Sequence, residues 1–359
     1  MSSKEKKSVL WWGRSDPQYS RNRIIRQIFI ELNWTIIDFV PKISAIADIE
    51  LYFCKLPPVD LVWVPCFRQK DLTAASRWSH KKKITLIFDP LISAYDKQVW
   101  ERQKFSSQSK QARKLLHWEK SLFQSADIII ADTEQHAKFY ADTFFINAEQ
   151  IIVLPVSAEE SLFLPQKNRS LSKPLHVLFY GSYIDLQGPN VIAQAILLYQ
   201  GPPVNWYFIG DGPLRQKTQE RLRGLTNVHF SNWIPYEELP KQIAQADLCL
   251  GIFGSTQKTQ RVIANKVYQA LACARHVITC ESGAYPESLK GNVDTGLFFV
   301  PANNPKALAL KLTQLANQPN LVKQARQHAL LTYQQNFSNS ALKEKVSSLL
   351  QRISYSKPE

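Results

Sequence analysis

Short runs of β-branched and aromatic residues alternate along the chain with longer stretches whose apolar positions recur every three or four residues. The first runs are "SVLWW" (8–12), "TIIDF" (35–39), "LVWVP" (61–65), "ITLIFD" (84–89), "DIIIAD" (127–132) and "IIVLP" (151–155). A polar, proline-bounded stretch follows, "SAEESLFLPQKNRSLSKP" (157–174), which reads as a linker. The alternation then restarts with "HVLFYG" (176–181), "VNWYFIG" (204–210), "VHFSN" (228–232), "DLCLGIF" (247–253), "HVITC" (276–280) and "GLFFVP" (296–301). Strands that are apolar at nearly every position, separated by helical patterns, predict parallel sheets covered on both faces. Two such blocks predict an α/β chain of two doubly wound domains, 1–160 and 170–335, with C-terminal helices. The last helix, within 336–359, is expected to pack back on the first domain.

Length agrees, since 359 residues exceed what one core usually supports. A hydrophobic content of 45% with only 12 glycines excludes a disordered or fibrous chain. The five cysteines and seven histidines show no metal-ligand spacing, so no metal site is expected, and isolated cysteines read as reduced thiols of a cytoplasmic protein. The basic N-terminus lacks the apolar segment of a secretory signal, and no run of about eighteen apolar residues could span a membrane. The net charge of +14 points to anionic partners. "HKKK" (80–83) and the acid-free "KFSSQSKQARK" (104–114) read either as solvated faces or as contacts with an anionic membrane surface. No nucleic-acid module is recognisable, so nucleic acid is not expected as a partner.

Ligands of doubly wound sheets sit at the carboxyl ends of the strands, so the loops there matter most. After the first strand, "GRSDPQYSRNR" (13–23) combines a tight turn at Gly13, a turn at Asp16-Pro17, Ser20 as a helix cap, and a cluster of Arg14, Arg21, Arg23 and Arg26. It is either a charged helix start or a loop facing an acceptor or phosphate. Asp89 ends the fourth strand, where a carboxylate could orient a hydroxyl, act as a base or cap a helix. Asp132 reads as an N-cap with Glu134 in the first turn. In the second block, Gly210 and Gly212 of "IGDGPLR" let backbone approach a ligand, without a dinucleotide fingerprint. "TQRVIANKVYQALA" (259–272) then reads as a helix carrying Arg261, Asn265, Lys266 and Gln269 on one face and Val267, Ala270, Leu271 and Ala274 on the other. Two cations at a helix start suit a phosphate, although a solvated polar face would look the same.

The order and spacing of "WWGRSDPQYSRNR", "FDPLISAYD", "FQSADIIIADTEQHAKFY", "FIGDGPLRQK", "VHFSNWIPYEELPKQIAQADLCLGIFG", "RVIANKVYQALA" and "SGAYPESLKGNVDTGLFFVPANNPKALA" resemble glycosyltransferases of the GT-B architecture, similar to the family 4 retaining enzymes. The resemblance implies two Rossmann-like domains facing across a cleft. The second would bind a nucleoside-diphosphate sugar, with UDP or GDP as the nucleotide, and the first a glycan, lipid-linked or other hydroxyl acceptor. It implies no cofactor and no metal, because cationic side chains and a helix N-terminus hold the diphosphate. The implied donor set is Gly181, Ser182, Gln187, Gly188, Gly210, Asp211, Gly212, Leu214, Arg261, Asn265, Lys266, Val267 and Gln269. Arg261 and Lys266 would neutralise the diphosphate and, with Asp89, form the catalytic set. Gly13, Arg14, Asp16, Tyr19, Ser20, Arg21 and Asn22 form the acceptor side, and Glu287 approaches the sugar. The implied location is cytoplasmic or peripheral at the inner face of the membrane. Ser182 and Gln187 stand where many members carry cations, and Gln269 where many carry a glutamate. These departures favour the alternative, a non-catalytic GT-B protein that binds a nucleotide sugar or a protein partner.

Overall fold

The structure, a computed structural model, describes residues 6–165, 170–291 and 293–355; part of the polar stretch 157–174 therefore lies outside the described residues. Each predicted apolar run forms a strand. The first sheet comprises β1 (Ser8–Trp12), β2 (Thr35–Phe39), β3 (Leu61–Val64), β4 (Thr85–Phe88), β5 (Ile128–Ala131) and β6 (Ile151–Val153), in the order β2-β1-β3-β4-β5-β6. The second comprises β7 (Leu175–Tyr180), β8 (Val204–Ile209), β9 (Val228–Ser231), β10 (Leu248–Leu250), β11 (Val277–Cys280) and β12 (Leu297–Val300), in the order β12-β11-β10-β7-β8-β9. Every pairing is parallel. These are the two Rossmann-like sheets of the GT-B fold.

The chain divides into two compact units: one runs to Val156 and resumes at Leu342, and the other is Ser157–Ala341. In the first unit, helices α1 (Ser20–Glu31), α2 (Ala47–Tyr52), α3 (Leu72–Lys82), α4 (Lys110–Phe123) and α5 (Glu134–Phe144) connect the strands. Alternate residues of a strand point to opposite faces, and β1 shows why a continuous apolar run is needed. Val9 and Trp11 pack with Ile24, Ile25, Ile28 and Phe29 of α1, whereas Leu10 and Trp12 join the core beneath α3, α4 and α5. The second unit carries α6 (Pro189–Leu198), α7 (Arg215–Arg221), α8 (Leu239–Gln245), α9 (Asn265–Ala272), α10 (Pro305–Asn317) and α11 (Pro319–Asn336). Its main core sets Val177 and Phe179 of β7 against α6 and α10.

The final helix, α12 (Asn339–Tyr355), completes the first unit. Leu342, Val346, Leu349 and Ile353 recur at helical spacing and pack with α1 in one buried cluster. Lys343 pairs with Glu31 at 3.1 Å, and Arg352 donates to the Glu149 carbonyl at 3.0 Å. Three local expectations change. The residue at the N-cap of α1 is Tyr19, with no side-chain cap, so Ser20 is already helical. Thr133, not Asp132, caps α5, its hydroxyl accepting the His136 amide at 3.0 Å. The helix expected over 259–272 begins only at Asn265, because Val262 and Ile263 are buried in a non-helical link and Ala264 is extended.

Val346 is fully buried on the α12 stripe. Val346→Ala should destabilise the first unit by about 1–3 kcal/mol through lost burial and a partly unfilled cavity. Urea unfolding followed by the tryptophan fluorescence of β1 and β3 would check this, and an unchanged midpoint would remove α12 from the core of that unit.

Candidate functional site

In the second sheet the chain runs outward from β7 to β9 and then returns to the other side of β7 as β10. The carboxyl ends of β7 and β10 therefore flank a topological switch point, where doubly wound sheets bind ligands. The loops 181–188, 210–214 and 251–264 gather at this edge. Their backbones pack directly. Gly210 has φ +119°, and a Cβ there would strike the Gly181 carbonyl; one on Gly212 would strike the Ser182 carbonyl. Phe253 and Gly254 donate main-chain hydrogen bonds to Gln187 and Leu186 at 3.3 and 3.2 Å, joining the loops after β10 and β7.

Within this frame the expected donor residues take different parts. Gln187 is turned inward: its amide oxygen accepts the Tyr183 N–H at 3.1 Å, and its side chain fills the space a Cβ on Gly181 would need. Gly188, at φ +67°, leads into α6 with Pro189 at its first position. Ser182 and Asp211 are exposed, Asp211 accepting the Gly212 amide at 2.8 Å, while Leu214 is half-buried and donates its amide to Tyr183. Arg261 closes the turn Gln257–Gln260 and thus lies in the approach to α9, not on its face. Asn265 is exposed at the first position of α9, and Val267 is fully buried. Gln269, 7% exposed, donates its amide N–H to the Tyr236 hydroxyl at 3.3 Å. Glu287 is exposed and pairs with Lys290 at 2.6 Å.

Lys266, at the second position of α9, departs from ordinary lysine behaviour. It is only 5% exposed, and among the described residues no oxygen or nitrogen partner reaches its ammonium. The ammonium stands 4.1 Å from the centre of the Phe179 ring and 5.7 Å from that of Tyr180. The Tyr180 hydroxyl donates to the Lys266 carbonyl at 2.9 Å and fixes the first turn of α9 against β7. Burial lowers the lysine pKa to about 7, with Cys249 pulling weakly the other way. Aromatic faces stabilise a cation only modestly, so a desolvated ammonium at a helix N-terminus is electrostatically complementary to an anion.

In the first unit the sheet order reverses between β1 and β3. Gly13, at φ +131°, lies against Arg68 and Asp71 of the loop after β3. Arg14 and Asp16 are exposed, Asp16 accepting the Gln18 amide at 2.8 Å, and Tyr19 packs edge-on against Phe67. Arg21 and Asn22 are buried instead. Asn22 donates to the Asp16 carbonyl at 2.8 Å and accepts from the Cys66 thiol at 3.1 Å. Arg21 pairs with Asp89 at 3.0 Å, both almost fully buried, and also donates to the Pro155 carbonyl. Burial pushes the Asp89 carboxyl above the usual carboxylate range, Arg21 opposing and Asp132 adding to the rise. Asp89 is therefore part of an internal ion pair that fixes the start of α1 rather than a carboxylate open to solvent. Beside it, His136 bonds Asp132 through Nδ1 and lies 3.6 Å from Asp96 through Nε2.

Residues 174–318 match the family described as "Glycosyl transferases group 1". The matched residues lie within the second unit. Spore coat protein SA of Bacillus subtilis (strain 168) is 22% identical over 187 residues, 49% of this chain; the match spans about half of that protein, 48% of its length. Two solved structures share the whole architecture. Anabaena Alr3699/HepE in complex with UDP is 14% identical with a TM-score of 0.71, covering 96% of this chain and 100% of that one. Sucrose-phosphate synthase from Thermosynechococcus elongatus is 16% identical with a TM-score of 0.73, covering 98% and 100%. At these identities the likeness is one of fold.

Sequence reading missed the aromatic wall of Phe179 and Tyr180, because a strand pattern does not say which face meets α9. It also missed Tyr236 and the buried cluster of His136, Asp132 and Asp96, whose members are far apart in sequence except for the four-residue step from Asp132 to His136. Burial opposes the charged His136 ring, but the two carboxylates outweigh it and raise its pKa to about 9 from 6.5. A raised histidine pKa contributes stability that is complete below 6.5 and is lost as pH climbs to about 9. The stability advantage of the wild type over His136→Gln should therefore shrink between those values. Parallel urea midpoints from pH 6.5 to about 9 for both proteins would contradict it.

Proposed function

We propose that this protein transfers a glycosyl group from a nucleoside-diphosphate sugar to a hydroxyl acceptor, with retention at the anomeric carbon and without a metal ion. The observation that carries the reading is the buried Lys266 ammonium in the first turn of α9, unpartnered among the described residues, at the switch point of the unit that matches the group 1 glycosyltransferase family. The complex of Alr3699/HepE with UDP supports a uridine nucleotide as the first to test, GDP being the second.

In this reading Lys266 pairs with the donor diphosphate, assisted by the amides of the α9 N-terminus and by Arg261 in the preceding turn. As the bond from the anomeric carbon to the diphosphate oxygen breaks, negative charge grows on the leaving group. A preorganised cation in a dry site stabilises that charge more than it stabilises the bound donor. The acceptor oxygen then bonds the anomeric carbon on the face the diphosphate left, and its proton passes to the departing phosphate. Asn265 and the loops at Gly181–Gly188 and Gly210–Leu214 hold the rest of the donor, with Ser182, Asp211 and Gln269 as polar contacts to the nucleoside and sugar. Loop 13–22 holds the acceptor. Asp89 acts there through Arg21, as a positioning residue.

A second reading draws on one observation: Gln187 spends its amide oxygen on Tyr183, so the loop after β7 supplies structure where a cation would supply charge. A protein that binds the nucleotide sugar without turnover would also fit this arrangement. Slow hydrolysis of the donor separates the two, since a binder releases no free sugar.

Calorimetric titration with UDP, GDP, ADP and dTDP tests the site. One nucleotide should bind, and Lys266→Ala should weaken it by roughly 10- to 100-fold, the value of one charge-assisted contact. The free lysine titrates near pH 7, and the diphosphate stabilises its charged form. Below pH 7 affinity through this group should be constant; above it, binding should draw a proton from buffer and affinity should fall. Binding that survives Lys266→Ala unchanged would displace the diphosphate from this helix.

A further inference from the structure

The first unit contains an open cavity of about 520 Å³, within the size range of small-molecule sites. Its walls come from two helices. Lys70, in the turn that leads into α3, is followed on that side by Thr73 and Arg77, at intervals of three and four residues. Trp118 and Leu122 stand one turn apart on α4. Ser44 and Ala45, in the 3₁₀ turn Ser44–Ile46 ahead of α2, also line the cavity. None of these residues belongs to the loop after β1 or to the second unit, so the cavity is a separate place on the molecule.

Its lining combines three kinds of group. Leu122 is buried, but Trp118, one turn before it, is 37% exposed and so offers a large ring to whatever enters. Ser44 and Thr73 bring hydroxyls that can donate and accept. Gln69 donates its amide N–H to the Ile92 carbonyl at 2.8 Å, and its oxygen can accept. The charged members are Lys70 and Arg77, and the lining includes no acid. Two carboxylates nearby are already matched. Asp48 accepts from Arg77 at 2.9 Å, and Asp71 pairs with Arg68. Arg77 also donates to the Ala45 carbonyl at 2.7 Å, which fixes its guanidinium at the wall. The exposed Lys70 therefore leaves the cavity with a net positive charge.

We infer that this cavity is a second binding site, for a sugar unit that carries a carboxylate or a phosphate. The C–H face of the sugar ring lies on Trp118, its hydroxyls bond Ser44, Thr73 and Gln69, and its anionic group meets Lys70 beside Arg77. The mixture of groups selects this class of ligand. A fatty chain would desolvate three polar side chains and a cation without returning a hydrogen bond. A neutral sugar would leave Lys70 unmatched, and a bare anion would leave Trp118 uncovered. An acidic sugar satisfies all three at once. The inference does not depend on the donor site, which lies in the other unit.

Calorimetric titration of the full chain with glucose-6-phosphate, a galacturonic acid trimer, glucose and inorganic phosphate tests it. At least one of the two anionic sugars should bind, roughly 10-fold or more tighter than glucose or phosphate alone. Tighter binding of the trimer would place the unit in a glycan, and tighter binding of the monomer in a free sugar phosphate. Affinity should fall from about 0.1 M to about 0.5 M salt. Lys70→Ala should weaken it by roughly 10- to 100-fold. Trp118→Ala should weaken it by roughly 10-fold, and Trp118→Phe, which keeps an aromatic face, by less. Lys70 is exposed and lies outside the donor unit, so Lys70→Ala should keep the wild-type unfolding midpoint and nucleotide titration. The sugar titration is decisive whether or not any nucleotide binds, which separates failure here from failure of the donor-site reading. No binding of either anionic sugar, phosphate binding as tightly as glucose-6-phosphate, wild-type affinity in Lys70→Ala or Trp118→Ala, or displacement of the sugar by UDP or GDP would overturn the inference.

Discussion

A charged amine held out of water is the constraint around which the second unit is organised. Transferring an ammonium from water into protein is costly unless an opposite charge or several acceptors meet it. Lys266 has aromatic faces for neighbours and, among the described residues, no acceptor. Its backbone is nevertheless pinned: Tyr180 holds its carbonyl, and α9 starts from a link whose Val262 and Ile263 are anchored in the interior. The helix thus holds the cation in a position it would not choose alone. Such local disfavour is expected where a site is built for a ligand rather than for stability.

The first unit handles charge in the opposite way. Arg21 meets Asp89, and His136 meets Asp132 and Asp96, so these buried charges have partners of opposite sign within the protein. Asp89 and Asp132 are each the first residue after a strand, on neighbouring strands β4 and β5. The strand ends of this unit are consequently stiffened by ion pairs, whereas Arg14 and Asp16 of the loop after β1 stay exposed.

Much of the architecture was legible because parallel strands covered on both faces must be apolar at successive positions, and runs such as "SVLWW" and "HVLFYG" have few other uses. The ends of helices were less legible. In "TQRVIANKVYQALA" the periodicity continues past the true start, but Val262 and Ile263 are drawn into the interior, so Arg261 leaves the helix face that spacing alone assigns to it. In "ADTEQH" two neighbouring residues could cap; threonine does, because aspartate is claimed by the histidine four residues on. Lys266 was identifiable from its place at the helix start, but its burial was not, since that depends on which face of β7 turns toward α9. Gln187 shows the same limit, as its inward turn is set by a glycine six residues earlier in a loop that closes on itself.

The arrangement of α12 also bears on how the chain matures during synthesis. The second unit is continuous in sequence, whereas the first closes only when the segment from Leu342 onward is added. A ribosome delivers the strands of the first unit early, but the helix that covers Trp11 and Trp63 emerges last. The later half of the message therefore completes its fold before the earlier half does. A chain released before residue 342 would hold a finished second unit and an uncovered tryptophan-rich sheet face in the first, which is the kind of surface that quality-control proteases and chaperones engage.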